Sequence, residues 1–196
     1  MPKSPTKTRP RTVAALMTSA RALFIERGYH ATSISDICGH AGLTRGAFYS
    51  NYRSKEDLFL ALYDTETDRI LAGLERAAHD DTGGEGPAVR VLELLVAHRR
   101  DDEQWFLASM EFTLHAGRNP EVAAELVPHE ERFIAGMTQI LAGVLHDATP
   151  DDCRDIAMLV TAMHEGITAQ EIIHGAPAAA FRERIIPRVL GAITTT

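Results

Sequence analysis

Cysteine is nearly absent from this 196-residue chain, which has only Cys38 and Cys153. Two cysteines make no disulfide framework, and neither stands in a CxxC or Cys/His ligand spacing, so no zinc cluster or other metal site is expected. Also missing is any apolar run near the roughly 18 residues of a membrane span. The first residues, MPKSPTKTRPR, are basic and polar with no apolar signal core behind them, so no membrane partner and a cytoplasmic location are expected. Alternation of apolar and polar residues is never sustained, and β-branched clusters are short, which argues against a sheet. Catalytic signatures are lacking too. His164-Glu165 begins like HExxH, but Thr168 stands where the second histidine belongs. No GxSxG, GxxxxGKS/T or Cys-His nucleophile pattern occurs. Paired acids such as Glu130-Glu131 and Asp151-Asp152 read as solvated faces or helix starts. Neither an enzyme nor a cofactor is expected.

What is present is an ordinary globular composition, 45% hydrophobic and 24% charged, with a net charge of −7. An acidic total argues against nucleic acid, but the charge is unevenly distributed. Residues 1–55 carry nine basic side chains against Glu26 and Asp36, a net +7, which leaves −14 for the remainder. Such a division suggests two parts with different partners, one of them a polyanion.

Helical spacing recurs along the whole chain. Val13, Leu16, Ala20, Leu23 and Phe24 predict a helix over 12–28, stopped by Gly28. Ser33, with Asp36 three residues on, forms a capping box for a short helix carrying Ile34 and Ile37. Ala41-Gly42-Leu43 interrupts it, and Thr44 caps a third helix with Ala47, Phe48 and Tyr49. Ser54 then caps a long connector over 55–78, with Glu56 and Asp57 suited to its positive end. The acidic, glycine-rich segment HDDTGGEGP over 79–87 reads as a linker, since no strand precedes it and no Lys-Ser/Thr follows. Further helices are expected near 88–100, 103–117, 120–146, 150–174 and 178–193, with Pro128 placed to start or kink the third of these and Pro187 to kink the last. The fold class is therefore all-α: a flexible basic arm over 1–10, a three-helix N-terminal domain over 11–58, and a larger helical domain over 59–196.

Two short helices joined by a glycine-containing turn form a helix-turn-helix, whose second helix enters the major groove. Ile34, Ile37, Leu43 and Phe48 supply a cluster that locks the pair. Thr44, Arg45, Ala47 and Ser50 fall on its outward side. Arg45 suits a base edge and Ala47 a thymine methyl. Thr32, Ser33, Tyr49, Asn51 and Lys55 carry groups suited to phosphate oxygens, which fix register without reading sequence.

The run ALFIERGYHATSISDICGHAGLTRGAFYSNYRSKEDLF over 22–59 closely resembles the TetR family of transcriptional regulators. The resemblance rests on Leu23-Phe24, Gly28-Tyr29, Thr32-Ser33-Ile34, Ile37, Ala41-Gly42-Leu43-Thr44, Gly46, Phe48-Tyr49, Tyr52 and Ser54-Lys55-Glu56-Asp57-Leu58. Cys38 departs from the small residue, most often alanine, usual there. A buried thiol acts as a small hydrophobe, which favours packing over redox sensing. The resemblance implies a homodimer binding a palindromic operator on double-stranded DNA, usually as a repressor released by a small-molecule effector. By position it assigns Thr44, Arg45, Gly46 and Ala47 to the groove, and Thr32, Ser33, Tyr49, Asn51 and Lys55 to the backbone. A helical-bundle scaffold that binds protein would explain the helices but not the basic helix-turn-helix.

Beyond about residue 65 the resemblance weakens. Trp105, Phe106, Met110, Phe133, Met137 and Met163 are candidates to line an effector pocket, with Glu111, His115, His164 and Gln170 as polar orienting groups. Ile156, Val160 and Ile167, then Phe181, Ile185 and Val189, recur at core spacing. In the family such helices pair across a two-fold axis, so these six are the expected dimer contacts. That axis would set two recognition helices about one DNA turn, roughly 34–36 Å, apart.

Overall fold

The computed structural model describes residues 8–79, 89–91, 93–94 and 103–193. Eight helices are delimited: α1 Thr8–Arg27, α2 Ile34–Ala41, α3 Arg45–Tyr49, α4 Lys55–His79, α5 Glu103–Arg118, α6 Pro120–Val144, α7 Pro150–His174 and α8 Ala176–Ile193. No strand occurs among the described residues, and none of the helices is long and apolar enough to cross a membrane. Most of the expected 79–87 linker and of the 88–100 helix lies outside the described residues, as do residues 1–7 of the expected arm. Residues 8–10 of that arm are already helical, since Pro10 sits in the first turn, where no N–H is needed.

Local chemistry sets the ends. Ser33 and Asp36 form the full capping box of α2. Thr149 and Asp152 form another for α7, with Pro150 in its first turn. Both prolines flagged as kink sites, Pro128 and Pro187, lie inside continuous helices.

The chain divides into two compact units, but not at residue 58. Of the described residues, 8–66 join 104–129 in the first, and those between 67 and 103 join 130–193 in the second. The helix-turn-helix therefore shares its core with α5. Phe24, Tyr29, Phe59 and Phe112 are all fully buried. Phe59 stacks on Phe112 at 4.3 Å and on Trp105 at 5.3 Å between ring centroids. The Phe112 ring also meets Tyr29 edge-on at 5.0 Å. Apolar burial on this scale contributes roughly 1.5–3 kcal/mol for each large side chain.

The second unit is built on Ile70, Leu74, Phe133, Met137, Leu141, Cys153, Ala157, Val160, Ile167, Ile186 and Leu190. This corrects the expectation for Val160 and Ile167. They are buried in the chain's own core rather than offered to a partner, and Ile156 packs against the same cluster. The large apolar side chains of α7 and α8 that face outward are Met158, Leu159, Ile173 and the expected Phe181, with Ile173 74% exposed. Ile185 and Val189 are half-buried. A helical stripe read from sequence gives the spacing of a face but not what covers it.

Candidate nucleic-acid interface

The turn between α2 and α3 is closed by backbone hydrogen bonds. Gly42 takes φ 65°, Leu43 N–H donates to the Cys38 carbonyl at 2.9 Å, and Gly42 N–H donates to Gly39 at 3.2 Å. This double closure is a Schellman motif, and its left-handed residue favours glycine. Thr44 then starts α3 by accepting Ala47 N–H at 3.1 Å. Ile37 and Phe48 are fully buried and lock the two helices together. Cys38 is buried beside them, and burial raises its thiol pKa, which suits packing and not redox chemistry.

This leaves Thr44, Arg45, Gly46, Tyr49 and Ser50 exposed, with Ala47 half-buried. The Arg45 guanidinium folds along its own helix. It reaches the Tyr49 hydroxyl at 3.3 Å and Ser35 Oγ at 3.5 Å. Tyr49 is 51% exposed while touching Phe48 edge-on, so one ring both packs and presents its hydroxyl. A Cβ at Gly46 would meet only Thr44 Oγ1, at an ordinary 3.7 Å. Nothing among the described residues requires a glycine there.

Next to α3 an open hollow of about 410 Å³ is lined by His30, Thr32, Ser33, Ile34, Tyr49, Arg53, Ser54, Lys55 and Glu56. Three of the proposed phosphate groups are used differently from the sequence expectation. Thr32 is buried, and its hydroxyl donates inward to the Gly28 carbonyl at 2.8 Å. The Lys55 ammonium donates to the Tyr29 carbonyl at 2.8 Å and the Thr32 carbonyl at 3.0 Å, and lies 4.0 Å from the Tyr29 ring centroid. Burial pulls its pKa below the ordinary lysine value, against the attraction of Glu56 and Glu111. Asn51 closes α3 by donating to the Ala47 carbonyl at 2.8 Å, and accepts from Arg9 at 3.3 Å. Burial also raises Glu56, but its own N–H, the Tyr29 and Ser54 hydroxyls and Lys55 outweigh this and hold the carboxyl below its usual range.

Two profiles match the chain. "Bacterial regulatory proteins, tetR family" covers residues 16–62, and "BetI-type transcriptional repressor, C-terminal" covers 87–193. The chain belongs to the TetR family. It is 48% identical over 52 residues to the transposon Tn10 TetC protein of Escherichia coli, 26% of each chain. It is 26% identical over 111 residues to the HTH-type transcriptional activator FasR of Mycolicibacterium smegmatis, 57% of this chain and 50% of that one. The matches thus span a quarter to a half of these relatives' lengths. Among solved structures, Salmonella enterica GusR superposes with a TM-score of 0.70 at 24% identity, over 99% of this chain and 100% of that chain. The TetR-family fold is therefore shared.

Within this TetR-family architecture, Arg9 and Arg53 are groups the sequence reading did not select. Arg53 has a side chain 77% exposed on the rim of the hollow, with Asp57 accepting its backbone N–H at 2.8 Å. Its charge between Tyr52 and Ser54 was the available signal. The ten effector candidates do not come together in one unit. Trp105, Phe106, Met110, Glu111 and His115 belong to the first, and Phe133, Met137, Met163, His164 and Gln170 to the second. Phe106, Phe133 and Met137 are buried core, while Gln170 is exposed. His164 is fully buried in a polar network. It meets Thr168 at 3.2 Å and Arg182 at 3.4 Å, and Arg182 pairs with Glu171 through contacts of 2.7 and 2.8 Å.

Proposed function

We propose that this TetR-family chain is a homodimeric repressor that binds a palindromic operator and releases it when a small molecule occupies its C-terminal part. The exposed edge of α3 carries this reading: Thr44, Arg45 and Gly46 stand outward beside a hollow rimmed by Ser33, Tyr49 and Arg53. An arginine on a short, well-capped helix suits bidentate contact with a guanine edge, and Ala47 suits a thymine methyl. At Gly46 the missing side chain lets a nucleic-acid backbone approach. Ser33, Tyr49 and Arg53 take the phosphate role. Lys55 and Thr32 support the turn from inside, and Asn51 supports α3.

The dimer reading rests on Met158, Leu159, Ile173 and Phe181, an apolar face that a second copy would cover. Placed on a two-fold axis, two α3 helices would match an inverted repeat. The −14 body, repelled by DNA, favours approach with the +7 segment leading. The effector acts by binding more tightly to the protein whose reading helices are wrongly spaced for DNA. Selection from a randomised duplex library is expected to return an inverted repeat, bound as a dimer with affinity falling steeply as salt rises. Recovery of no common sequence would refute the operator reading.

A further inference from the structure

One peptide unit in the α1–α2 turn is held at both ends by opposite charges. Its carbonyl, from Tyr29, accepts from the Lys55 ammonium of α4 at 2.8 Å. Its N–H, from His30, donates to Glu111 Oε2 of α5 at 3.1 Å. The ammonium lies at the negative end of the peptide dipole and the carboxylate at the positive end, so both contacts stabilise one orientation of this plane. The adjoining residue is built around the same carboxylate. Gly28 takes φ 85°, and a Cβ there would lie 2.5 Å from Glu111 Oε1. The backbone conformation therefore favours glycine, and any Cβ there would have to push the Glu111 carboxylate aside. One residue along α5, Phe112 packs on Tyr29 and Phe59. Three residues beyond that, His115 lies 5.4 Å from the His30 ring.

We propose that Glu111 is a positioning residue for DNA binding, a latch by which α5 fixes the turn that leads into α2. This rests on the DNA-binding reading above. The turn ends at Ser33, the N-cap of α2, and α2 is locked to α3 through Ile37 and Phe48. The orientation of the 29–30 peptide thus sets where the reading helix stands. Withdrawal of α5 releases His30 N–H, leaves Lys55 holding the carbonyl alone, and frees the turn to reorient. The sequence reading offered Glu111 as an effector contact, whereas the geometry points to a contact with the chain's own backbone.

The test uses the full chain and duplexes that the wild-type chain selects from a randomised library. Glu111→Ala removes acceptor and charge; Glu111→Gln keeps an acceptor oxygen. Glu111→Ala is expected to speed amide exchange over residues 28–33 and to weaken selected DNA by about tenfold. Glu111→Gln should stay within about threefold of wild type in both, a rescue that a purely electrostatic role would not give. Gly28→Ala should cost less stability in the Glu111→Ala background than in wild type, because the clash disappears and only the backbone strain remains. Wild-type exchange and binding in Glu111→Ala, equal losses in Ala and Gln, or strict additivity with Gly28→Ala would overturn the proposal. If the wild-type chain selects no DNA, the DNA-binding reading fails, and the proposal fails with it as a statement about DNA. Exchange and additivity would then still decide whether Glu111 holds the turn.

Discussion

Replacing Lys55 by methionine separates two roles for one side chain. Methionine keeps most of the length and apolar stem but abandons the carbonyls of Tyr29 and Thr32, bonded at 2.8 and 3.0 Å. Hydrogen bonds to a charged group contribute about 1.5–3 kcal/mol each. The ring contact at 4.0 Å adds about 0.5–1 kcal/mol. Against these stands the cost of desolvating the ammonium, which burial already expresses by lowering its pKa. The expected net loss is about 2–4 kcal/mol. In a chain of this size that lowers the thermal midpoint by roughly 4–16 °C. A phosphate contact would behave differently, with little change in midpoint and a shallower salt dependence, by about 0.9 in log–log slope per phosphate released. Thermal unfolding and a salt titration of DNA binding therefore decide the matter together. An unchanged midpoint with a reduced slope would refute the clamp and restore Lys55 to the DNA backbone.

Other perturbations test separate parts of the account. Arg182→Met leaves the half-buried Glu171 without its bidentate partner, Arg182 being only 4% exposed. A loss of about 3–5 kcal/mol is expected in denaturant unfolding, and a loss below about 1 kcal/mol would contradict the pairing. Burial raises the Glu130 pKa, helped by Glu165 and Glu131, so the folded chain holds that proton to higher pH than the unfolded chain. Stability then falls as pH rises through this interval. Glu130→Gln should raise the thermal midpoint at pH 7, with the gain vanishing below about pH 4, and no gain at pH 7 would reject the burial argument. Ile173→Glu on the outward face of α7 should shift the mass measured by light scattering from dimer to monomer while leaving the helical spectrum intact. A dimer that persists would remove that face from the interface.

Some of this was legible in the sequence because it is local. Ser33 with Asp36, and Gly42 after a short helix, each fix a helix end within four residues, and the ends fall where those residues predict. The exposed face of α3 follows from Thr44 and the burial of Phe48 one turn later. What was not legible depends on residues far apart in the chain. Lys55 and Thr32 carry groups that suit phosphate, but sequence does not reveal that backbone carbonyls 23 and 26 residues away reach the Lys55 ammonium first. Val160 and Ile167 show the spacing of a buried face without saying that Ile186 and Leu190 of the same chain share their cluster. The boundary between units escaped for the same reason, since Phe112 joins the helix-turn-helix core from α5.

The central claim is that the exposed edge of α3 reads DNA through Arg45. Its most direct test is capture of genomic fragments by the wild-type chain and by Arg45→Ala, with each bound sequence set compared at equal salt. The account predicts a shared inverted-repeat motif for the wild type. In Arg45→Ala, preference at one symmetric pair of positions should relax by about tenfold or more, with the rest of the motif retained. Fragments bound without a common sequence, or an unchanged motif in Arg45→Ala, would contradict it.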